Sequence, residues 1–439
     1  MRDHVFYPNL KNDYPVVDKG KGIYLWDIDG KKYIDACSGA LVSNIGHGVD
    51  EVKEAMTKQL EQVEFAHRFK FTNRPLQQLA GMICDMAPEG IEWVIFVSGG
   101  SEATETAMKM SREYFIEKGK PTKYKIISRW QSYHGNTLGA LSMSGNIGRR
   151  RRYAPLLADF PHVAPPYCYR CPFGKDPKLC NLECAQDIEN AIIKEGAENV
   201  AAVILEPISG SSIGAIVPKD GYMQAVREIC TKHDVLFIAD EVMTGVGRTG
   251  KNFAVDHWNV VPDMICMAKG LSGGYAPLGA VAVQDFIHET FKNGSGKFAH
   301  GFTFGSNPIA AAAGMAVVRY VRENNLVENS YKVGQYLLEK LNLLKDKYWF
   351  IGDVRGLGLM TGVEFVKDKE TKEPFEQAKG ITDKVVSTAL KMGLMLYGAP
   401  LCADGTKGDA IMIAPPLTVT EHEIDMIIDA FEEVLNKIF

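Results

Sequence analysis

Six short apolar runs in the middle of this 439-residue chain, followed or separated by helix-like stretches, constrain the fold more than any other feature. They are Val94 to Val97, Lys125 to Ser128, Ala202 to Leu205, Val235 to Ala239, Met264 to Met267 and Gly279 to Val283. Such runs are too short for helices and too continuously apolar for a sheet with one wet face. Strands of this kind are buried on both sides and need helices to cover them. The chain is therefore expected to be α/β, with a mostly parallel sheet. From about Val317 onward amphipathic helical patterns take over. In EIDMIIDAFEEVLNKIF the residues Ile424, Met426, Ile427, Ala430, Phe431 and Val434 recur at helical spacing and predict a core-facing stripe. A smaller α+β domain is expected from residues 317–439 together with 1–59, beside a large domain at 60–316.

Two local features carry chemistry. In FVSGGSEATETAMKMSR a strand ending at Val97 runs through a small-residue turn into a helix predicted to start near Glu102. A helix N-terminus offers unpaired backbone N–H groups and the positive end of the helix dipole to an anion. Gly99 and Gly100 allow close approach, and Ser101 is expected to cap the helix and to offer its hydroxyl. A capped helix without a ligand explains this segment equally well. Further on, VLFIAD places Asp240 at the carboxyl end of a buried strand, and DMICMAKG places Lys269 similarly on another. Open α/β sheets bind ligands at that edge. A buried lysine of lowered pKa is a nucleophile for a carbonyl, and a carboxylate beside an aromatic nitrogen keeps it protonated. A structural salt bridge is the alternative for this pair.

A net charge of −5 gives no reason to expect nucleic acid or an acidic membrane as partner. The four consecutive arginines Arg149 to Arg152 could hold an anion but read better as a solvated loop or a subunit contact. No run approaches the ~20 apolar residues of a membrane helix, and MRDHVFYPNL lacks a signal-peptide core, so a cytoplasmic protein is expected. Nine cysteines do not form a secreted disulfide framework. Cys168, Cys171, Cys180 and Cys184 have a spacing that can wrap zinc, but a reduced surface insertion is favoured and no metal is expected.

The phrases FVSGGSEATETAMKMSR, YHG (Tyr133 to Gly135), LEPISG, FIADEVMTGVGRTG, AKGLSGGYAPLGA, HGFTFGSNP and VRGLGLMTGVE are each similar to motifs of the class III aminotransferases, in the family order. The resemblance runs from about Val17 to the C-terminus. It implies the fold type I architecture of pyridoxal-phosphate enzymes, with a mostly parallel seven-stranded sheet in the large, cofactor-binding domain. It implies pyridoxal 5'-phosphate as cofactor and transfer of an amino group from a primary amine or amino acid, plausibly ω- or β-amino, to a 2-oxo acid such as pyruvate or 2-oxoglutarate. A racemase, epimerase or aminomutase of the same family is the alternative.

By the same resemblance Lys269 carries the cofactor and moves the substrate proton, Asp240 partners the pyridine nitrogen, and Val242 packs beneath the ring. Tyr133 covers the other ring face, while Gly100 and Ser101 donate to the phosphate. Thr303 reaches the cofactor phosphate from a neighbouring subunit, so a homodimer with a shared active site is expected. Glu206 is a site-wall residue. The chain departs from many relatives in carrying Tyr397 near the position of a carboxylate-clamping arginine, and Leu41 where several carry a bulky aromatic. Arg68, in FAHRFKFTN, is the candidate for binding substrate instead, with a surface or interface arginine as the alternative.

Overall fold

A computed structural model describes residues 4–439. Its central sheet has seven strands, numbered in chain order: β1 (Ile91–Val97), β2 (Lys125–Arg129), β3 (His162–Val163), β4 (Val200–Leu205), β5 (Leu236–Asp240), β6 (Met264–Met267) and β7 (Gly279–Gln284). They lie side by side in the order β1-β7-β6-β5-β4-β2-β3. The neighbours from β6 to β3 pair in parallel, and β7 runs antiparallel to both β6 and β1. Every residue of β4, β5 and β6 is buried, as continuous β-branched and apolar runs require. The six runs found in the sequence are all strands of this sheet. The seventh, His162–Val163, has only two residues, too few to leave a periodic signal.

Parallel pairing decides where chemistry can happen, because it brings several strand C-termini to one edge. Asp240 is the last residue of β5 and pairs with Cys266 of β6, so the chain leaving β6 toward Lys269 emerges beside it.

Two smaller sheets use the rest of the chain. Val17–Lys21, Tyr24–Asp27 and Lys32–Asp35 form an antiparallel meander, to which Leu394–Met395 adds in parallel. Ile351–Leu357, Met360–Phe365, Asp409–Ile413 and Tyr397–Gly398 form an antiparallel sheet against which the helix Leu326–Lys347 packs. The strand pairing of 32–35 with 394–395 ties the N-terminal segment to the C-terminal portion; we propose that the two form one smaller domain. The closing helix, Glu421–Ile438, starts from a capping box in which Thr420 and Glu423 satisfy each other's backbone N–H groups. Its buried stripe is Ile424, Ile427, Ile428, Phe431, Val434 and Leu435. Met426 and Ala430, expected within the stripe, lie at its margin and are only partly buried, because the buried face is centred nearer Ile428.

Candidate active site

A cavity of about 470 Å³ opens at the carboxyl edge of the parallel strands. Gly100, Ser101, Tyr133, Asp240, Val242 and Lys269 all line it, with Glu206 and His134.

One side of the cavity is the start of the helix Gly100–Glu117, two residues earlier than expected. Gly99 is the N-cap and Ser101 lies inside the first turn, so Ser101 does not cap the helix. Instead its Oγ accepts from the Asn136 amide at 3.0 Å, and the Glu102 carboxylate accepts from the Ser98 amide at 2.8 Å. The amides of Gly100 and Ser101 have no acceptor among the described residues. Two close contacts explain the small residues here. A Cβ on Gly100 would sit 2.9 Å from Val242 Cγ1, and one on Gly135, whose φ is +137°, would collide with Ser101. The sequence thus leaves a cradle bounded by free N–H groups where side chains are excluded.

Asp240 is buried, and both of its oxygens are engaged. Oδ2 lies 2.7 Å from His134 Nδ1, and Oδ1 accepts from the Val242 amide at 3.1 Å. His134 is itself buried, and its Nε2 has no partner. The YHG phrase contains this histidine, but nothing in the local sequence points to its partner; only the fold brings it to Asp240.

Lys269 begins a 3-10 turn after β6 with φ of +42°, a conformation that non-glycine residues seldom adopt and that clusters at functional sites. Its amine makes no hydrogen bond to any described residue. Burial pushes its pKa down to about 8, against the opposing pull of the Asp240 and Glu206 carboxylates, while Arg149 and Arg248 push it further down. Glu206 is buried, its carboxyl held above the usual range by burial; it accepts from the Tyr133 amide at 3.3 Å and the Gly210 amide at 3.0 Å.

Thr303 and Arg68 are not at this cavity within one chain. Thr303 stands exposed between the helices Asp285–Asn293 and Pro308–Glu323. The Arg68 guanidinium lies against the same loop, 2.8 Å from where a Cβ on Gly301 would be, and its buried Nη1 is unpaired. The fold places Arg68 against the loop that carries Thr303. Around them Phe69, Phe71 and Phe304 are 68%, 68% and 61% exposed, an apolar surface of the kind that subunits cover.

The arginine run divides its work. Arg150 Nη1 donates to the carbonyls of Leu141, Ser142 and Ser144, whereas the Arg149 guanidinium lies over the Tyr133 ring, 4.6 Å from its centre. This is not a wholly solvated loop. The four clustered cysteines line a separate small pocket with Lys219, which donates to the Cys180 carbonyl at 3.3 Å. Among the described residues no three of their sulfurs lie within 4.8 Å of one another. No helix among the described residues is long and apolar enough to cross a membrane.

The donor set suits a phosphorylated pyridine aldehyde: free amides for phosphate, a carboxylate for the ring nitrogen, a depressed amine for the aldehyde.

Comparison with known proteins points the same way. Residues 7–435 match the family described as Aminotransferase class-III. The chain is 43% identical to YodT, an uncharacterized aminotransferase of Bacillus subtilis, over 100% of this chain and 98% of that protein. It is 37% identical to the putrescine–pyruvate aminotransferase of Pseudomonas aeruginosa, covering 96% and 90%. An amine transaminase from an uncultivated Pseudomonas species, solved in its PLP-bound form, superposes with a TM-score of 0.94 at 34% identity, covering 100% of both chains.

Proposed function

The chain belongs to the class III aminotransferases, pyridoxal-phosphate enzymes of fold type I, and from that premise we propose that it moves the amino group of a primary amine or amino acid to a 2-oxo acid such as pyruvate or 2-oxoglutarate. The observation that carries this reading is the pair formed by Asp240 and Lys269, held at one edge of one sheet by the parallel pairing of β5 with β6.

Pyridoxal phosphate, when bound, supplies an aldehyde for the amine and a ring that accepts the electrons left when a proton departs. The residues do the rest. The Gly100 and Ser101 amides, at the positive end of their helix, would receive the phosphate. Asp240, kept in place by His134 and the Val242 amide, would hold a proton on the pyridine nitrogen. Val242 and Tyr133 would offer the ring an apolar and an aromatic surface. Lys269 Nζ, with its pKa near 8, is neutral often enough near neutral pH to take a proton from the substrate carbon and return it elsewhere. In the reading proposed here, Thr303 and Arg68 act on the site of a second copy, with the apolar surface around Phe69, Phe71 and Phe304 forming part of the contact.

Following both substrates by chromatography tests the reaction type. An aminotransferase consumes one oxo acid for each amine lost; return of an isomerised amine with no oxo acid consumed means a racemase or mutase instead.

A further inference from the structure

Two arginines exert their charge on the Lys269 amine, Arg248 and Arg149. Arg248 is buried and committed: Nη1 donates to the Leu359 and Pro415 carbonyls at 3.0 and 2.6 Å, and Nη2 to Ser38 Oγ and Asn44 Oδ1 at 3.1 and 2.7 Å. Arg149 is exposed, and its guanidinium has no hydrogen bond or carboxylate among the described residues, only the Tyr133 ring at 4.6 Å.

Its position is built rather than accidental. The short helix Ile147–Arg150 starts at Asn146, which accepts from the Arg149 amide at 3.1 Å and donates to Ser212 Oγ at 3.1 Å, next to the cavity-lining Ser211. The three bonds from Arg150 to carbonyls fasten the same turn from behind. An arginine seated over an aromatic ring keeps N–H donors at its edge for a planar anion. Among the described residues lining the cavity the only lysine or arginine is Lys269, beside two carboxylates, Asp240 and Glu206. An anionic substrate entering there needs another positive group at the mouth.

We propose that Arg149 binds the carboxylate of a substrate, either that of an amino-acid donor or that of the oxo-acid acceptor. The proposal rests on the aminotransferase reading. Tyr133 then has two neighbours, the cavity on one side and the carboxylate-binding guanidinium beside it, so its ring sets the distance between the reacting amine and the anion.

The two half-reactions can be measured separately on the loaded enzyme by single-turnover spectroscopy. Wild type, Arg149→Gln, Arg149→Lys and, as a control from the same loop, Arg151→Gln are compared. Donors are the matched pair β-alanine and propylamine; acceptors are pyruvate and propanal. Loss of one charge-assisted pair should raise the apparent dissociation constant of the carboxylate-bearing partner by about 10- to 100-fold. Its uncharged counterpart should change little, the limiting rate should fall much less, and Arg149→Lys should recover part of the loss. The half-reaction affected tells whether donor or acceptor supplies the carboxylate. Equal losses for charged and uncharged partners, a shift in oligomeric state that accounts for the loss, or no change beyond Arg151→Gln would each overturn the proposal. If wild type transfers no amino group in either half-reaction, the aminotransferase reading itself has failed, a result distinct from all of these.

Discussion

His134 Nδ1 lies 2.7 Å from Asp240 Oδ2, both groups are buried, and the Val242 amide takes the other carboxylate oxygen. The histidine fixes the plane of this carboxylate, which in the proposed reading partners the pyridine nitrogen of the cofactor. Hydrogen bonds to charged groups contribute about 1.5–3 kcal/mol. His134→Ala should therefore lower kcat/KM by about 10- to 100-fold and leave the fold intact by circular dichroism. Asp240→Asn should lower kcat further, by about two to four orders of magnitude, since the proton on the ring nitrogen is no longer held. Equal activity of His134→Ala and wild type would remove the positioning role.

Val242 fills the space that a side chain on Gly100 would need. Gly100→Ala should weaken pyridoxal phosphate binding by about tenfold or more, within the 1–3 kcal/mol typical of overpacking. The double variant Gly100→Ala, Val242→Ala should bind better than Gly100→Ala alone, because the clash is gone. Fluorescence titration of apoenzyme with cofactor reads both constants.

Cofactor capture by the apoenzyme should depend on pH through Lys269. Its pKa is lowered to about 8, so the neutral, nucleophilic amine becomes the major form as pH rises through that value. Stopped-flow loading rates are expected to climb between about pH 7 and 9 and then level. A profile still rising at pH 10, as for an ordinary lysine, would count against the burial of this group.

Thr303 and Lys269 can be assigned to different subunits by complementation. Thr303→Ala alone should weaken cofactor binding, and Lys269→Ala alone should abolish activity. In a hybrid dimer of the two variants, a shared site leaves one cavity with both residues native, so cofactor affinity at the surviving site should return to the wild-type value. If it stays at the Thr303→Ala value, each chain completes its own site.

His162 gives a stability test on the loop that presents Arg149. Burial and the nearby Arg150, 3.4 Å away, depress its pKa to about 4. Between about pH 6.5 and 4 the unfolded chain binds this proton and the folded one does not, so stability is lost as pH falls through that window. His162→Gln should make the denaturation midpoint less sensitive to acid across it. An unchanged pH slope would mean that His162 charges freely in the folded protein.

What the sequence made legible follows from periodicity and spacing. The buried strands are continuous apolar runs; Asp240 ends one and Lys269 follows another by two residues, so one sheet edge is legible in the sequence. Three features could not. His162–Val163 is too short to show a period. His134 meets Asp240 across 106 residues of chain, a pairing that only the fold creates. Arg149 and Arg150 are neighbours in one run of arginines, yet Arg150 is tied to three carbonyls and Arg149 is left over Tyr133, a difference set by the single turn on which they sit. Ser101 has the residue type of a cap, but Gly99 occupies that position.

The central claim is that Lys269 carries pyridoxal phosphate, and reductive trapping tests it most directly. The loaded protein is treated with borohydride, digested, and its peptides are weighed by mass spectrometry. The account predicts the added mass of the reduced cofactor on the peptide containing Lys269, and none on any peptide of Lys269→Ala. Cofactor mass on a different lysine of the wild type, or no trapped cofactor at all, would contradict it.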